Sequence, residues 1–304
     1  MGLTCMHATR TRLDAERWHW QHGPIDVVAQ AEGDAAAVAA AHEGAWVRFQ
    51  AVLTELVAEL PLLRQPVRVS SGVPCGGLQG PIARRMWSAC APFAPDFITP
   101  MAAVAGSVAQ ELIVHYQRPG IRRAWLNNGG DIALHLAPGE RLRAGVVRDP
   151  GQHLFGSGSG GPDGRFDVRA EDPVRGVATS CWMGRSLSLG VADSVTVLAA
   201  SASQADAAAT MIANAVNVEH PGIVRRPACA LRDDSDLGDR RVTVQVPPLP
   251  EALTRQALAR GAALAQQLQQ RGLIWAAVLM CQDARLLLQP RCKVGTFAAD
   301  ALAA

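Results

Sequence analysis

Apolar positions change their period from segment to segment along the chain, and each change marks an element. Trp18 to Ala31 alternates irregularly around His22-Gly23-Pro24 and predicts two short strands meeting at a turn. From Ala35 to Leu60, alanine, valine and leucine recur among Glu and Arg. That is the pattern of a long amphipathic helix, which Pro61 should end. Gly72 to Gly80 reads as a loop and Ile82–Cys90 as a second helix. Small residues dominate Ala102–His115, which predicts a helix packed closely against a neighbour. Thr99 and Pro100 stand at its start as N-cap and first helical residue. Free backbone N–H groups at such a start favour an anion.

Arg123–Leu126 and Ile132–Leu136 predict strands flanking a Gly129-Gly130 turn, and Leu142–Val147 predicts another. Val177–Ser180 and Ser194–Ala199 read as strands, Gln204–Val216 as a helix, and Val242–Val246 as a short strand. Leu253, Ala257, Gly261, Leu264 and Leu268 mark one face of a last long helix. The glycine-rich stretch 151–164 reads as a flexible loop, and the residues from 294 to 304 as a loose tail. Strands and helices interleave without a regular βα period. The expectation is therefore a mixed α/β (α+β) fold in a single domain over residues 1–304, rather than a doubly wound parallel sheet.

Composition narrows the class. Hydrophobic residues make up 49% of the 304 and charged residues 18%, the balance of a compact globular protein. The net charge is only +2 and the arginines are scattered, so there is no electrostatic footprint for nucleic acid or an anionic membrane. The first residues are polar, and the longest apolar run, near Leu273–Cys281, is too short to span a bilayer. A cytoplasmic protein is expected. Seven cysteines without a C-x-x-C read as reduced thiols, not as a zinc site or a disulfide framework. The alanine-rich helices suit a homodimer.

Four stretches carry possible chemistry. On the helix from Gln204, Asp206 and Thr210 lie four residues apart and share a face, with Asn214 one turn on. A carboxylate and a hydroxyl at that spacing suit a hard cation that leans on ligand phosphates; a helix cap with a solvated polar stripe is the plain alternative. Asn127-Asn128-Gly129-Gly130-Asp131 follows an apolar strand, and its paired glycines permit close backbone approach to a ligand or, equally, a hairpin turn. Thr179 and Ser180 end a strand and are followed by Arg185 and Ser186, a set able to hold phosphate oxygens. The fourth is the Thr99–Ser107 helix start, with Ala102 in its first turn.

Taken in order, these stretches resemble a known family. N-G-G-D (Asn128–Asp131), A-G-V-V-R-D-P (Ala144–Pro150), A-T-S (Ala178–Ser180), D-S-V-T-V-L-A (Asp193–Ala199) and A-D-A-A-A-T (Ala205–Thr210) are similar to motifs of the FAD:protein FMN transferase superfamily. This is the ApbE or thiamine-biosynthesis lipoprotein group. The likeness is greater to its uncharacterised ApbE-like branch, where it runs roughly from His22 to Ala284. It includes Gly80–Met86, Phe97–Gly106 and Gly184–Asp193.

The resemblance implies an ApbE-like, T-fold-related architecture of mixed sheets with packed helices. It implies magnesium (Mg2+) on Asp206 and Thr210 with a backbone carbonyl near Ala102, and a pocket for FAD or FMN lined by Gly129, Gly130, Asp131, Thr179 and Ser180. The family's H-x-x-D-P segment has no counterpart, since no histidine lies between His153 and His220. Ala105 stands where the family has lysine, and Cys181 where it has glycine. The metal-and-phosphate half of the site is matched and the half that activates a protein acceptor is not.

The expected function is a magnesium-dependent enzyme acting on a phosphorylated heterocyclic ligand, such as a flavin nucleotide or a related cofactor precursor. Asp131 and Asp193 are the candidate general bases. The alternative is a non-catalytic flavin- or nucleotide-binding carrier.

Overall fold

The computed structural model describes residues 7–14, 16–69, 74–146, 164–184 and 186–290. Its elements run in chain order as β1 (Thr9–Arg12), β2 (Arg17–His22), β3 (Ile25–Gly33), α1 (Ala35–Ala58), α2 (Leu60–Leu63), α3 (Pro81–Cys90) and α4 (Val104–Ile113). There follow β4 (Ile121–Asn128), β5 (Asp131–Leu136), β6 (Arg141–Val146), β7 (Gly164–Arg169), β8 (Gly176–Ser180) and β9 (Ser194–Ala199). The last are α5 (Ala202–Ala215), β10 (Val224–Pro227), β11 (Arg241–Gln245), α6 (Glu251–Gln270), β12 (Ala276–Cys281) and β13 (Ala284–Leu288). A 3-10 turn at Pro100–Ala103 leads into α4.

Nine strands form one sheet in the order β1-β2-β3-β4-β5-β8-β9-β12-β13, with two separate ribbons, β6-β7 and β10-β11. Every pairing in the sheet is antiparallel. The mixed α+β architecture expected from the irregular alternation is therefore present. Period-two alternation sorts side chains between the two faces. Ala124, Leu126, Ala133, Ala178, Val195 and Val197 point to the helices. Leu134, Val177 and Leu198 point the other way, under Val168 of the β6-β7 ribbon. With cover on both sides, β9 is buried at every position.

Several sequence expectations need correction. The first helix stops at Ala58, short of the expected Leu60, and Pro61 sits in the first turn of α2. A proline ring would clash with the carbonyl four residues back, so the break comes before it. The carboxylate of Glu59, at that break, accepts from Gln79 N at 2.6 Å and Gly80 N at 2.7 Å, tying it to the start of α3. The apolar run near Leu273–Cys281 contains β12, which pairs with β9 and β13 in the sheet. The flexible loop expected at 151–164 lies outside the described residues except for Gly164, and the tail at 294–304 lies wholly outside them. No helix among the described residues is long and apolar enough to cross a membrane.

Candidate functional site

The site forms where α4 and α5 meet. Gly106 in α4 lies against the first turn of α5, and a Cβ there would come within 2.3 Å of the Ala202 carbonyl oxygen. Only glycine lets the two backbones approach so closely. The contact brings the main chain of α4 to Asp206, whose Oδ2 accepts from Gly106 N at 2.9 Å. The anion at this helix start is thus a carboxylate of the chain itself. Burial pushes the Asp206 carboxyl up to about 7, against the pull of the Gly106 and Ala105 N–H groups. No basic side chain is among the causes of that shift.

Asp206 and Thr210, one turn apart on α5, both line a cavity of about 710 Å3. Thr99, Ala102, Asn128, Asp131 and Ser186 line the same cavity, as does Asn214. Among the described residues, four carboxylates, Asp131, Asp206, Asp234 and Asp236, line it with two arginines, Arg64 and Arg232. Arg64 is already paired with Asp234 at 2.6 Å. Among the described residues the Thr210 hydroxyl has no hydrogen-bond partner in the chain. No group of three or more His, Cys, Asp or Glu among the described residues is arranged to hold a metal.

Gly129 and Gly130, with φ of 66° and 112°, make the two-residue turn between β4 and β5, and neither is among the residues lining the cavity. Both central residues of such a turn need positive φ, which glycine supplies. What the turn gives the site is its flanks: Asn128 and Asp131 pair across it and both reach the cavity. Asn128 is engaged at both ends, donating Nδ2 to Ala105 O at 3.1 Å and accepting from Asp26 N at 3.3 Å. Asp131 Oδ1 accepts from Thr179 N at 3.2 Å. Thr179 stands behind that carboxylate rather than on the cavity wall, its hydroxyl 2.9 Å from that of Thr196. Ser180 does not line the cavity either.

Thr99 heads the 3-10 turn, but its hydroxyl caps no backbone N–H; it donates to Asp236 instead. Asp193 is placed away from the cavity. Its carboxylate accepts from Trp182 Nε1 at 3.2 Å and from Gln282 N, bracing the turn between β12 and β13. Arg185 lies outside the described residues.

The cavity also takes residues that sequence reasoning passed over. The loop from Arg232 to Leu237 forms one wall, and Arg64 and Phe97 belong to others. The only signal in that loop is the Asp233-Asp234-Ser235-Asp236 run, which reads as a solvated charge cluster.

The family model described as AbpE bacteria matches residues 9–292. A UPF0280 protein of Methanothermobacter thermautotrophicus is 39% identical over 155 residues, covering 51% of this chain and 56% of that protein. One from Methanopyrus kandleri is 36% identical over 187 residues, covering 60% and 70%. The match thus spans little more than half the length of the first of these relatives. Among solved structures, the apo crystal structure of Pseudomonas stutzeri flavinyl transferase ApbE is similar with a TM-score of 0.38 and 13% identity. That match covers 93% of this chain and 94% of the other; a likeness so low carries no argument about activity.

Proposed function

Since the chain belongs to the AbpE bacteria family, we propose that it is a magnesium-dependent enzyme acting on a phosphorylated heterocyclic ligand, such as a flavin nucleotide or a related cofactor precursor. The observation that carries the reading is the convergence of Asp206 and Thr210 on one cavity with Asn128 and Asp131. A volume of about 710 Å3 suits a nucleotide-sized ligand.

The donor set fits the cation. Asp206 is a partly buried carboxylate whose desolvation raises its proton affinity with no basic side chain to offset it, and Thr210 offers an unengaged hydroxyl beside it. Hard divalent cations take such oxygen ligands and complete their shell with water and phosphate. Among the described residues the cavity has four carboxylates against two arginines, a balance that favours a cation beside the phosphates. When bound, magnesium supplies charge neutralisation across a pyrophosphate. The other roles fall to the chain itself. The Ala102 carbonyl would be the third protein ligand, and Phe97, which also lines the cavity, would pack against a heterocycle. Asp131, which accepts from the Thr179 N–H and lines the cavity, would be the general base toward an acceptor hydroxyl.

A non-catalytic flavin or nucleotide carrier is favoured by one feature. Among the described residues no histidine lines the cavity. Calorimetry with FAD and with ADP, each with and without magnesium, tests both readings. Magnesium-dependent binding that is lost in Asp206→Asn and reduced in Thr210→Val is expected, with both variants still folded. Equal binding in those variants would refute the metal assignment. Chromatography of the FAD mixture then separates the two: released monophosphate means an enzyme, and intact FAD means a carrier.

A further inference from the structure

Beside the Leu189 wall of the cavity lies a smaller concavity of about 400 Å3, lined by Leu189, Asn217, Glu219, Arg225, Arg240 and Arg241. Leu189 borders both spaces. Their charges are opposite in sign. The large cavity has an excess of carboxylates, whereas the small one gathers three arginines against a single glutamate. Glu219 neutralises little, because its side chain is 89% exposed and its carboxylate stands 3.4 Å from Arg225. Three guanidinium groups around one concavity repel one another unless an anion joins them.

The three are held in different ways. Arg225 is anchored, donating from Nη2 to Asn217 Oδ1 at 2.5 Å and to Val218 O at 3.1 Å. Arg241 donates from Nη2 to Arg225 O at 2.8 Å. Arg240 lays its guanidinium over the Phe97 ring, with Cζ 3.4 Å from the ring centroid. Among the described residues its side chain makes no hydrogen bond. With no hydrogen bond spent within the described chain, the Arg240 guanidinium keeps its N–H donors available to an oxyanion. Phe97 is itself part of the large cavity, so Arg240 stands at the border between the two spaces.

We propose that Arg225, Arg240 and Arg241 form an oxyanion subsite beside the main cavity, and that it takes a phosphate-type group. The subsite does not depend on the metal assigned to Asp206 and Thr210. Two sources share its chemistry: a distal phosphate of the ligand that fills the cavity, or the anionic group of a separate acceptor.

The test is calorimetric titration of inorganic phosphate into the full chain, with a chelator present and chloride at the same ionic strength as control. Saturable binding is expected, weakened about tenfold in each of Arg240→Gln and Arg241→Gln. Both arginines are exposed, so their replacement leaves the fold intact, and circular dichroism checks that. Absence of saturable binding, or equal affinity in wild type and both arginine variants, overturns the subsite. Repeating the titration with ADP and magnesium identifies the source. Exclusion of phosphate by ADP assigns the oxyanion to the same ligand, and joint binding assigns it to a separate acceptor. A chain that binds phosphate through these arginines but does not bind ADP counts against the reading of the large cavity and not against the subsite.

Discussion

The helix-covered face of the sheet is built from two different materials. Toward β2–β4 the core is bulky: Trp20, Phe49, Met86 and Tyr116 are almost wholly buried beneath α1, α3 and α4. Toward β9 and β12 it is fine-grained, with Ala205, Ala207, Ala208, Ala209 and Ala213 of α5 against Val195 and Val197. Large side chains hold backbones apart and interlock, while small ones let backbones come close. The cavity lies at the seam, where α4 has Val108 and Ala109 in the bulky core and presses Gly106 onto α5. There the main-chain N–H of Gly106 on one helix reaches the carboxylate of Asp206 on the other. The bulky half therefore supplies mass and the fine-grained half supplies approach.

Truncation in the bulky half should produce the largest effect on stability and the least on the site. Phe49 is fully buried, with ring centroids 5.7 Å from Trp20 and 5.8 Å from Trp46. Phe49→Ala is expected to cost about 3–5 kcal/mol in urea denaturation. Magnesium and nucleotide affinities of the folded protein should be unchanged. Gly106→Ala reverses that pattern. Its Cβ would meet the Ala202 carbonyl oxygen at 2.3 Å and Asp206 Cβ at 2.9 Å, both on α5. Overpacking of this kind costs about 1–3 kcal/mol. The displaced helix also withdraws the Gly106 N–H from Asp206, so magnesium-dependent binding should fall sharply. If Gly106→Ala binds as wild type does, the seam does not set the site.

The same contrast explains what the sequence disclosed. Asp206 and Thr210 were legible because helical spacing alone puts them on one face. The strands on either side of Gly129-Gly130 were legible because two glycines between apolar runs signal a turn, and the turn delivered Asn128 and Asp131 to the cavity. Asp193 belongs to an equally suggestive run, yet its carboxylate serves a Trp182 indole and the Gln282 backbone. Nothing local separates a carboxylate that braces a turn from one that meets a ligand. Asp234, Asp236 and Arg232 were illegible for the opposite reason. They lie in a polar loop without period, and only the fold brings them against Thr99 and Arg64. β12 was hidden because a short apolar run has no period to distinguish a buried strand from a buried helix.

The smallest expected effect is on the pH dependence of stability, where the two halves should pull in opposite directions. In the bulky half, burial lowers His42 from its ordinary 6.5 to about 4, with the nearby Arg12 charge acting the same way. Its Nδ1 lies 2.7 Å from the Tyr116 hydroxyl, a phenol that burial keeps protonated. Between about pH 6.5 and 4 the unfolded chain therefore binds a proton that the folded chain refuses, and His42 makes stability fall as pH falls. At the seam, Asp206 is raised from 3.8 to about 7, so between those values the folded chain holds a proton that the unfolded chain has released. Its contribution is fully present below 3.8 and is lost as pH rises through 7. The two slopes overlap and partly cancel between about pH 4 and 6.5. Urea denaturation in chelator across that range reads the two arms as differences from wild type. Asp206→Asn should make stability decline more steeply toward acid than in the wild type, and His42→Gln should make it decline less. If Asp206→Asn keeps the wild-type profile, the carboxylate is not desolvated as its burial requires, and the opposition between the two cores does not extend to their electrostatics.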